Sequence, residues 1–312
     1  MRVLRSISEL GKIPGPVFLA IGVFDGVHLG HQAVISTAAR HAEEANGTAV
    51  AVTFDPHPAK FLRPDESPRL LTATEHKIAL IRALGVSHLL ILKFDRELAE
   101  TAPEDFVRQL AAAARPLREI CVGQEWSFGK NRAGNLELLK KLGAELGFHV
   151  VGVEPVTSEG KIISSTAIRK AVEAGDFAAA AKMLGREYTI LGTVEGGNQL
   201  GRGLGFPTAN LSAHSEQFPP NGVYAAEAEL DGKCLRGVVN LGVRPTIAGA
   251  SPVRVLELHL FDFDRDIYGA EIEVRFRRFL RAEQKFENLA ALHEQIGRDV
   301  AEAQRVFSGA SA

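Results

Sequence analysis

Two histidines, His28 and His31, stand three residues apart in the glycine-rich stretch GVFDGVHLGH, directly after the apolar run VFLAI. If the helical text HQAVISTAARHAEEA starts there, both imidazoles sit at a helix N-terminus. Unpaired N–H groups and partial positive charge at such an end receive phosphate. Gly26 and Gly30 allow close approach to the backbone. A glycine turn with two solvated histidines fits the same residues. Zinc fits less well, because no cysteine or carboxylate cluster completes a tetrahedral set.

Other residues offer chemistry by type and spacing. ISSTAIR, residues 163–169, places Ser164, Ser165 and Thr166 before a helix that carries Arg169; alone, this reads as an N-cap. Residues 192–211, GTVEGGNQLGRGLGFPTANL, hold Gly197, Gly201, Gly203, Gly205 and the cation Arg202. A dinucleotide fingerprint needs a helix right after its glycines, and Phe206–Pro207 forbids one. What remains is a loop exposing N–H groups to a phosphate chain, or a plain barrel hairpin. Thr208 and Asn210, two apart on a strand-like segment, face one side, and their oxygens suit a hard cation such as Mg²⁺. Glu257, alternating with Leu256 and Leu258, reads on its own as a solvent-facing strand residue with His259 on the same face.

Two kinds of text must position these groups. Up to about residue 181, short apolar runs (VFLAIG, TAVAVTF, SHLLIL, EICVG, FHVVGV) alternate with helix-period segments. That pattern predicts right-handed crossovers and an α/β, doubly wound parallel sheet. Ligands of such sheets bind at the carboxyl ends of the strands, where GVFDGVHLGH, TFDPHP and VGQEWSFG fall. Beyond it, YTILGTV, GVYAAEAEL, LRGVVNLGV, RVLELHLF and EIEVRFRRF alternate with period two, separated by turn signals such as Asp231–Gly232. These predict an antiparallel β-barrel, followed by an amphipathic helix with Leu289, Leu292, Ile296 and Val300 on its apolar stripe. The domains are expected at residues 1–185 and 186–312.

The 312 residues suffice for two cores at 46% hydrophobic content, and a net charge of -2 gives no global basic field for nucleic acid. The two cysteines, Cys121 and Cys234, read as buried free thiols of a reducing compartment. The N-terminus lacks a signal-peptide core, and no run of about 18 apolar residues spans a bilayer. A cytoplasmic protein without a membrane partner is expected.

The H-x-G-H after the first buried strand resembles the HIGH-type nucleotidyltransferase superfamily. A KMSKS-like loop of the aminoacyl-tRNA synthetases is replaced here by ISSTAIR, as in the small-metabolite nucleotidyltransferases. GVFDGVHLGH, TFDPHP, FGKNRAGN and ISSTAIR, in that order over residues 17–183, resemble the FAD synthetase module of the prokaryotic bifunctional riboflavin kinase/FAD synthetases. GFPTAN, PPNGVYA, GVVNLGVRPT and LELHLFDFDRDIYG, over 187–300, resemble the riboflavin kinase signature. The resemblance implies ATP-dependent phosphorylation of riboflavin to FMN, then adenylylation of FMN to FAD with release of pyrophosphate. It implies that His28 and His31 act on the triphosphate with Gly22, Phe24, Asp25, Gly26, Ser164, Ser165, Thr166 and Arg169, and that the flavin is held by Phe54, Pro56, Pro58, Glu125 and Phe128. In the second module the glycine loop with Arg202 and Pro207 would cover the ATP phosphates, Thr208 and Asn210 would coordinate magnesium, and Glu257 would be the base.

One departure bears on the shape of the flavin site. The family's G-x-D-F-x-F-G is Gly123-Gln-Glu-Trp-Ser-Phe-Gly129 here, and Asn135 stands where an acidic residue commonly closes the next motif. Alternatives are a single-activity kinase or nucleotidyltransferase with the other domain impaired, and a flavin- or nucleotide-binding regulator without turnover.

Overall fold

The computed structural model describes residues 1–196, 205–214, 217–244 and 253–309. The chain divides into two compact units, Met1–Ile168 with Lys182–Gly185, and Arg169–Ala181 with Arg186–Ala312.

The first unit is built on a parallel sheet of β1 (Arg2–Leu4), β2 (Val17–Ile21), β3 (Thr48–Asp55), β4 (His88–Lys93), β5 (Leu117–Gly123) and β6 (His149–Val153), in the order β1-β4-β3-β2-β5-β6. All five residues of β2 are buried, because a central parallel strand is covered on both faces and so reads as an unbroken apolar run. Alternate residues feed two cores. Leu19 and Ile21 join Val50, Val52, Leu110 and Leu139 on one face, while Ala20 joins Ile35, Ala51, Ile81 and Cys121 on the other. The covering helices are α1 (Leu29–Glu44), α2 (Pro58–Leu62), α3 (Thr74–Ala83), α4 (Arg96–Glu100), α5 (Pro103–Ala113) and α6 (Leu136–Leu146). A two-stranded hairpin, β7 (Thr157–Ser158) and β8 (Lys161–Ile162), precedes α7 (Ser165–Glu173) and α8 (Phe177–Leu184), of which residues 169–181 belong to the second unit.

In the second unit β9 (Thr189–Glu195), β10 (Ala209–Ala213), β11 (Gly222–Leu230), β12 (Lys233–Arg244), β13 (Val253–Leu260) and β14 (Glu271–Arg281) close an antiparallel barrel in the order β10-β13-β12-β11-β14-β9. Closure removes the free sheet edges. Helix α9 (Leu289–Ser308), capped by the Asn288 side chain, lays Val300, Ala303, Val306 and Phe307 against the outward residues Val223, Ala225 and Val238. The Arg281 guanidinium donates to the Asp299 carboxylate at 2.7 Å, with Asp299 buried, and ties the helix to β14.

Two expectations are corrected. Leu289 is 64% exposed, because the packing stripe of α9 runs through its later turns instead. Cys234 is exposed, since it is the second residue of β12 just after the hairpin turn, whereas Cys121 is buried in β5.

Candidate active sites

Strands β2 and β5 are neighbours whose chains leave toward β3 on one side and β6 on the other, so a crevice opens at their carboxyl ends. GVFDGVHLGH fills that point. The loop is tightly determined: a Cβ on Gly22 would lie 2.5 Å from the Phe24 ring, and Gly26 has φ +83° with the Leu71 side chain close by. Phe24 and Val27 take left-handed φ values of 51° and 41°, a conformation that costs free energy in residues other than glycine and that surrounding bonds must hold. The Asp25 carboxylate accepts from the N–H groups of Leu71 at 3.0 Å and Thr72 at 3.1 Å. Gly26 N–H donates to Thr72 Oγ1 at 3.0 Å, and Lys77 Nζ donates to the Val23 carbonyl at 2.9 Å. Phe24 and Asp25 are thus 1% and 2% exposed, and both shape the loop from within.

His28 is the N-cap of α1, its Nδ1 accepting from His31 N–H at 3.3 Å, which leaves its ring proton on Nε2 when neutral. The two rings stack at 3.6 Å with 20° between planes, and His31 meets the Phe24 ring edge-on at 5.4 Å. His31 Nδ1 is buried without a hydrogen-bond partner among the described residues. Burial first, then His28 and Lys77, hold the His31 imidazole well below its ordinary pKa, so it is neutral near pH 7. The arrangement offers polar ring atoms and helix N–H groups to an anion without a fixed imidazolium.

Sequence reasoning missed Lys77. Burial holds its pKa below the ordinary lysine value, with Asp25 and Asp55 opposing that shift, and its Nζ lies beneath the loop on the Val23 carbonyl. Its signal was a lysine within the apolar periodicity of EHKIALIRALG, four residues before buried Ile81.

The start of ISSTAIR is brought to the same loop by Ser165. The Ser164 side chain accepts from Ala167 N–H at 3.2 Å, so it does cap α7, and Ser165 Oγ donates to the Asp25 carbonyl at 2.9 Å. Thr166 is exposed, and Arg169 follows on the next turn of α7, half-buried.

The residues expected at a flavin lie at the end of β3 and beyond β3 and β5. Phe54 is 9% exposed and meets Phe94 edge-on at 6.0 Å; Phe94 in turn meets exposed Phe61 of α2. The Asp55–Pro56 bond is cis, Pro58 opens α2, and the His57 imidazole caps it. Phe128 is buried, stacked on Trp126 at 4.4 Å, while Glu125 is exposed. Asn135 caps α6 by accepting from Leu138 N–H at 2.9 Å, so an amide serves there as an acid would.

In the barrel, Leu256 and Leu258 are each 1% exposed and face inward, so Glu257 faces out. Register places Asn210 of β10 directly opposite Glu257 on one side and Asn240 of β12 opposite it on the other. Asn240 was not singled out from sequence; its signal was a lone polar residue inside VVNLGV, but only register reveals its neighbour. His259 Nδ1 donates to the Pro207 carbonyl at 2.9 Å, and the Phe206 ring lies 5.5 Å from His259 and 5.4 Å from His293 of α9. These contacts fix the FPTAN segment. Thr208 precedes β10 and lines a cavity of about 360 Å³, with Val194, Leu258, Leu260, Phe263 and Tyr268. Gly205 has φ +78°; Gly197, Gly201, Arg202 and Gly203 lie outside the described residues. The hydroxyl of Thr208, the amide oxygen of Asn210 and the carboxylate of Glu257 are hard oxygen donors, a set that fits a magnesium-class ion.

Comparison with known proteins shows two modules. A family model for FAD synthetase matches residues 11–167, and one for riboflavin kinase matches residues 184–307. The bifunctional riboflavin kinase/FMN adenylyltransferase of Escherichia coli K12 is 37% identical over 309 residues, covering 98% of each chain. The Bacillus subtilis protein of the same description is 39% identical over 294 residues, 93% of this chain and 92% of its own. A crystal structure from Streptococcus pneumoniae, described as a macrolide-efflux protein, superposes with a TM-score of 0.80 at 27% identity, covering 98% of this chain and 99% of that one. Among the described residues, no helix here is long and apolar enough to cross a membrane.

Proposed function

The chain belongs to the bifunctional riboflavin kinase/FMN adenylyltransferase family, and from that premise we propose that it makes FAD from riboflavin in two ATP-dependent steps, each run by its own module. One observation carries this reading: each matched segment holds its own polar constellation, His28/His31 in the first and Asn210/Glu257 in the second. Residues 1–185 serve adenylylation and 186–312 the kinase.

In the kinase step the 5'-hydroxyl of riboflavin attacks the γ-phosphorus of ATP, and ADP departs with the bonding electron pair. A neutral hydroxyl is a poor nucleophile, so Glu257 takes its proton, a contribution of roughly 10²- to 10⁴-fold. Thr208 and Asn210 would hold Mg²⁺, which when bound would offset the charge of the ATP phosphates. His259 acts through position, keeping Pro207 and so Thr208 in place. The glycine loop with Arg202 covers the phosphates.

In the second step a phosphate oxygen of FMN attacks the α-phosphorus of a second ATP, and pyrophosphate leaves. That nucleophile is already anionic, so no base is needed. The work is positional and electrostatic: the start of α1, His28, His31, Thr166 and Arg169 hold the triphosphate in line and stabilise the departing charge. Ser164 and Ser165 align α7 with the loop. Phe54, Pro56, Pro58, Glu125 and Phe128 surround the flavin, Phe54 and Phe128 from beneath. Free thiols support a reducing, cytoplasmic setting, and the partners are riboflavin, FMN, FAD and ATP.

Chromatography of flavins after incubation with riboflavin, ATP and Mg²⁺ tests the reading. FMN should appear first and FAD after it, with ADP and pyrophosphate as coproducts. Accumulation of FMN alone, or FAD from supplied FMN with no turnover of riboflavin, would leave a single-activity enzyme; no product at all would leave a binding protein.

A further inference from the structure

A third polar cluster lies apart from both sites. Glu119 and Cys121 are two apart on β5 and so share the face that packs on α1, where His41 occupies the last turn. Glu119 is 8% exposed and Cys121 fully buried, in a strand whose other buried residues are Leu117, Ile120 and Val122. The Glu119 carboxylate lies 2.6 Å from His41 Nδ1 and accepts from Cys121 Sγ at 3.2 Å. Arg40 Nη2 contacts His41 Nε2 at 2.9 Å; a guanidinium only donates, so Nε2 accepts and the ring proton sits on Nδ1. One nitrogen, one oxygen and one sulfur thereby lie within 4.8 Å of one another.

We propose that His41 Nδ1, the Glu119 carboxylate and Cys121 Sγ form a site for a zinc-class divalent cation, clamped between α1 and β5. The donor set decides the class. Imidazole and thiolate suit zinc, whereas the magnesium-class ion of the kinase step takes oxygen ligands. Binding keeps protons balanced: the Cys121 proton leaves to solvent, and the imidazole proton moves from Nδ1 to Nε2. Arg40 then turns from the ring to its other partner, the Glu44 carboxylate at 2.7 Å. His41, 23% exposed at its side chain, forms the solvent side of the cluster and the way in. Three protein ligands leave the remaining position to water. Thirteen helical positions separate His41 from His28, about 20 Å along α1, so the ion would tie helix to sheet without touching the adenylylation chemistry.

Titration of the full-length protein with Co²⁺, read by absorbance, tests this. Thiolate ligation produces a charge-transfer band; we expect one equivalent of Co²⁺ to develop it, and Zn²⁺ to displace it. Cys121→Ser should abolish the band and Cys234→Ser should retain it. His41→Gln, which leaves the thiol in place, should weaken binding by at least about 10-fold, as loss of metal-site groups typically does. Zn²⁺ should also raise the thermal midpoint of the wild type and not that of His41→Gln. If Cys121→Ser does not fold, the His41→Gln titration and melt decide. No band at saturating Co²⁺, a band that survives Cys121→Ser or is lost with Cys234→Ser, or His41→Gln binding and melting like wild type would overturn the site.

Discussion

The Ser165 hydroxyl donates to the Asp25 backbone carbonyl across 2.9 Å, joining a loop to a helix start 140 residues away in the chain. Asp25 uses its other groups to grip Leu71 and Thr72, so one residue links the histidine loop to both α3's approach and the start of α7. Ser165→Ala removes the second link. It should cost about 1 kcal/mol of stability, the net worth of a typical hydrogen bond, and slow FAD formation from FMN while FMN formation from riboflavin stays unchanged. Comparing the two rates with the melting midpoint checks this; a stability loss with both rates intact would make the bond purely structural.

Glu257→Ala should abolish FMN formation from riboflavin yet leave FAD formation from supplied FMN nearly intact. The reason is separation: Glu257 belongs to the barrel unit, and the histidine pair to the other. Comparable loss of both activities would refute the division of labour.

Asn210 stands directly opposite Glu257 across β10 and β13, so a cation held by its amide oxygen would lie beside the base. Asn210→Ala and Thr208→Ala should each shift the magnesium titration of the kinase step to higher concentration, since on the proposed assignment each would remove an oxygen ligand from an ion that offsets phosphate charge. An unshifted titration would reject both as ligands.

Asp299 is 4% exposed and takes three donors, from Arg281 Nε and Nη2 and from Gln295 Nε2. Asp299→Ala would leave Arg281, itself largely covered, without its anion. Breaking one partner of a buried pair costs about 3–5 kcal/mol, so urea unfolding of the barrel unit should shift to much lower concentration. A shift worth under 1 kcal/mol would mean that α9 is held by its apolar stripe alone.

Much of this architecture was legible because burial writes itself into pattern: strands covered on two faces read as VFLAI, and barrel strands as alternation. The glycine and histidine spacing of GVFDGVHLGH likewise marked a loop at a strand end. Which side chains of a motif face a ligand was not legible. Phe24 and Asp25 belong to the motif yet are buried beneath it, because a loop with left-handed residues needs internal anchors. Asn240 and Lys77 came to light only through register and packing. Cys234 shows the reverse error: an apolar neighbourhood in sequence does not decide which face of a strand a residue takes.

His31 yields the most discriminating prediction, because its environment acts on stability and on catalysis with different signatures. Its folded pKa lies well below the ordinary 6.5, mainly through burial. As pH falls through about 6.5 the unfolded chain takes up a proton that the folded protein refuses, so stability drops toward acid and the contribution is complete above that pH. His31→Ala should flatten this acid slope in denaturant unfolding. Catalysis asks more of the ring: if His28 and His31 stabilise the triphosphate during adenylylation, replacing either should lower FMN-dependent pyrophosphate release by about 10²-fold. That corresponds to ~3 kcal/mol, the usual loss for one donor to a developing oxyanion, with FMN binding little changed and the kinase step untouched. Solvated turn histidines would behave otherwise, since their removal would leave pyrophosphate release within a factor of a few. His28→Ala supplies the internal comparison. It removes the cap of α1 and the stacking partner together, so its stability loss should be about 1 kcal/mol, while its kinetic loss should match that of His31→Ala. Near-normal rates in both variants would sink the phosphate role and leave the pair as a helix cap.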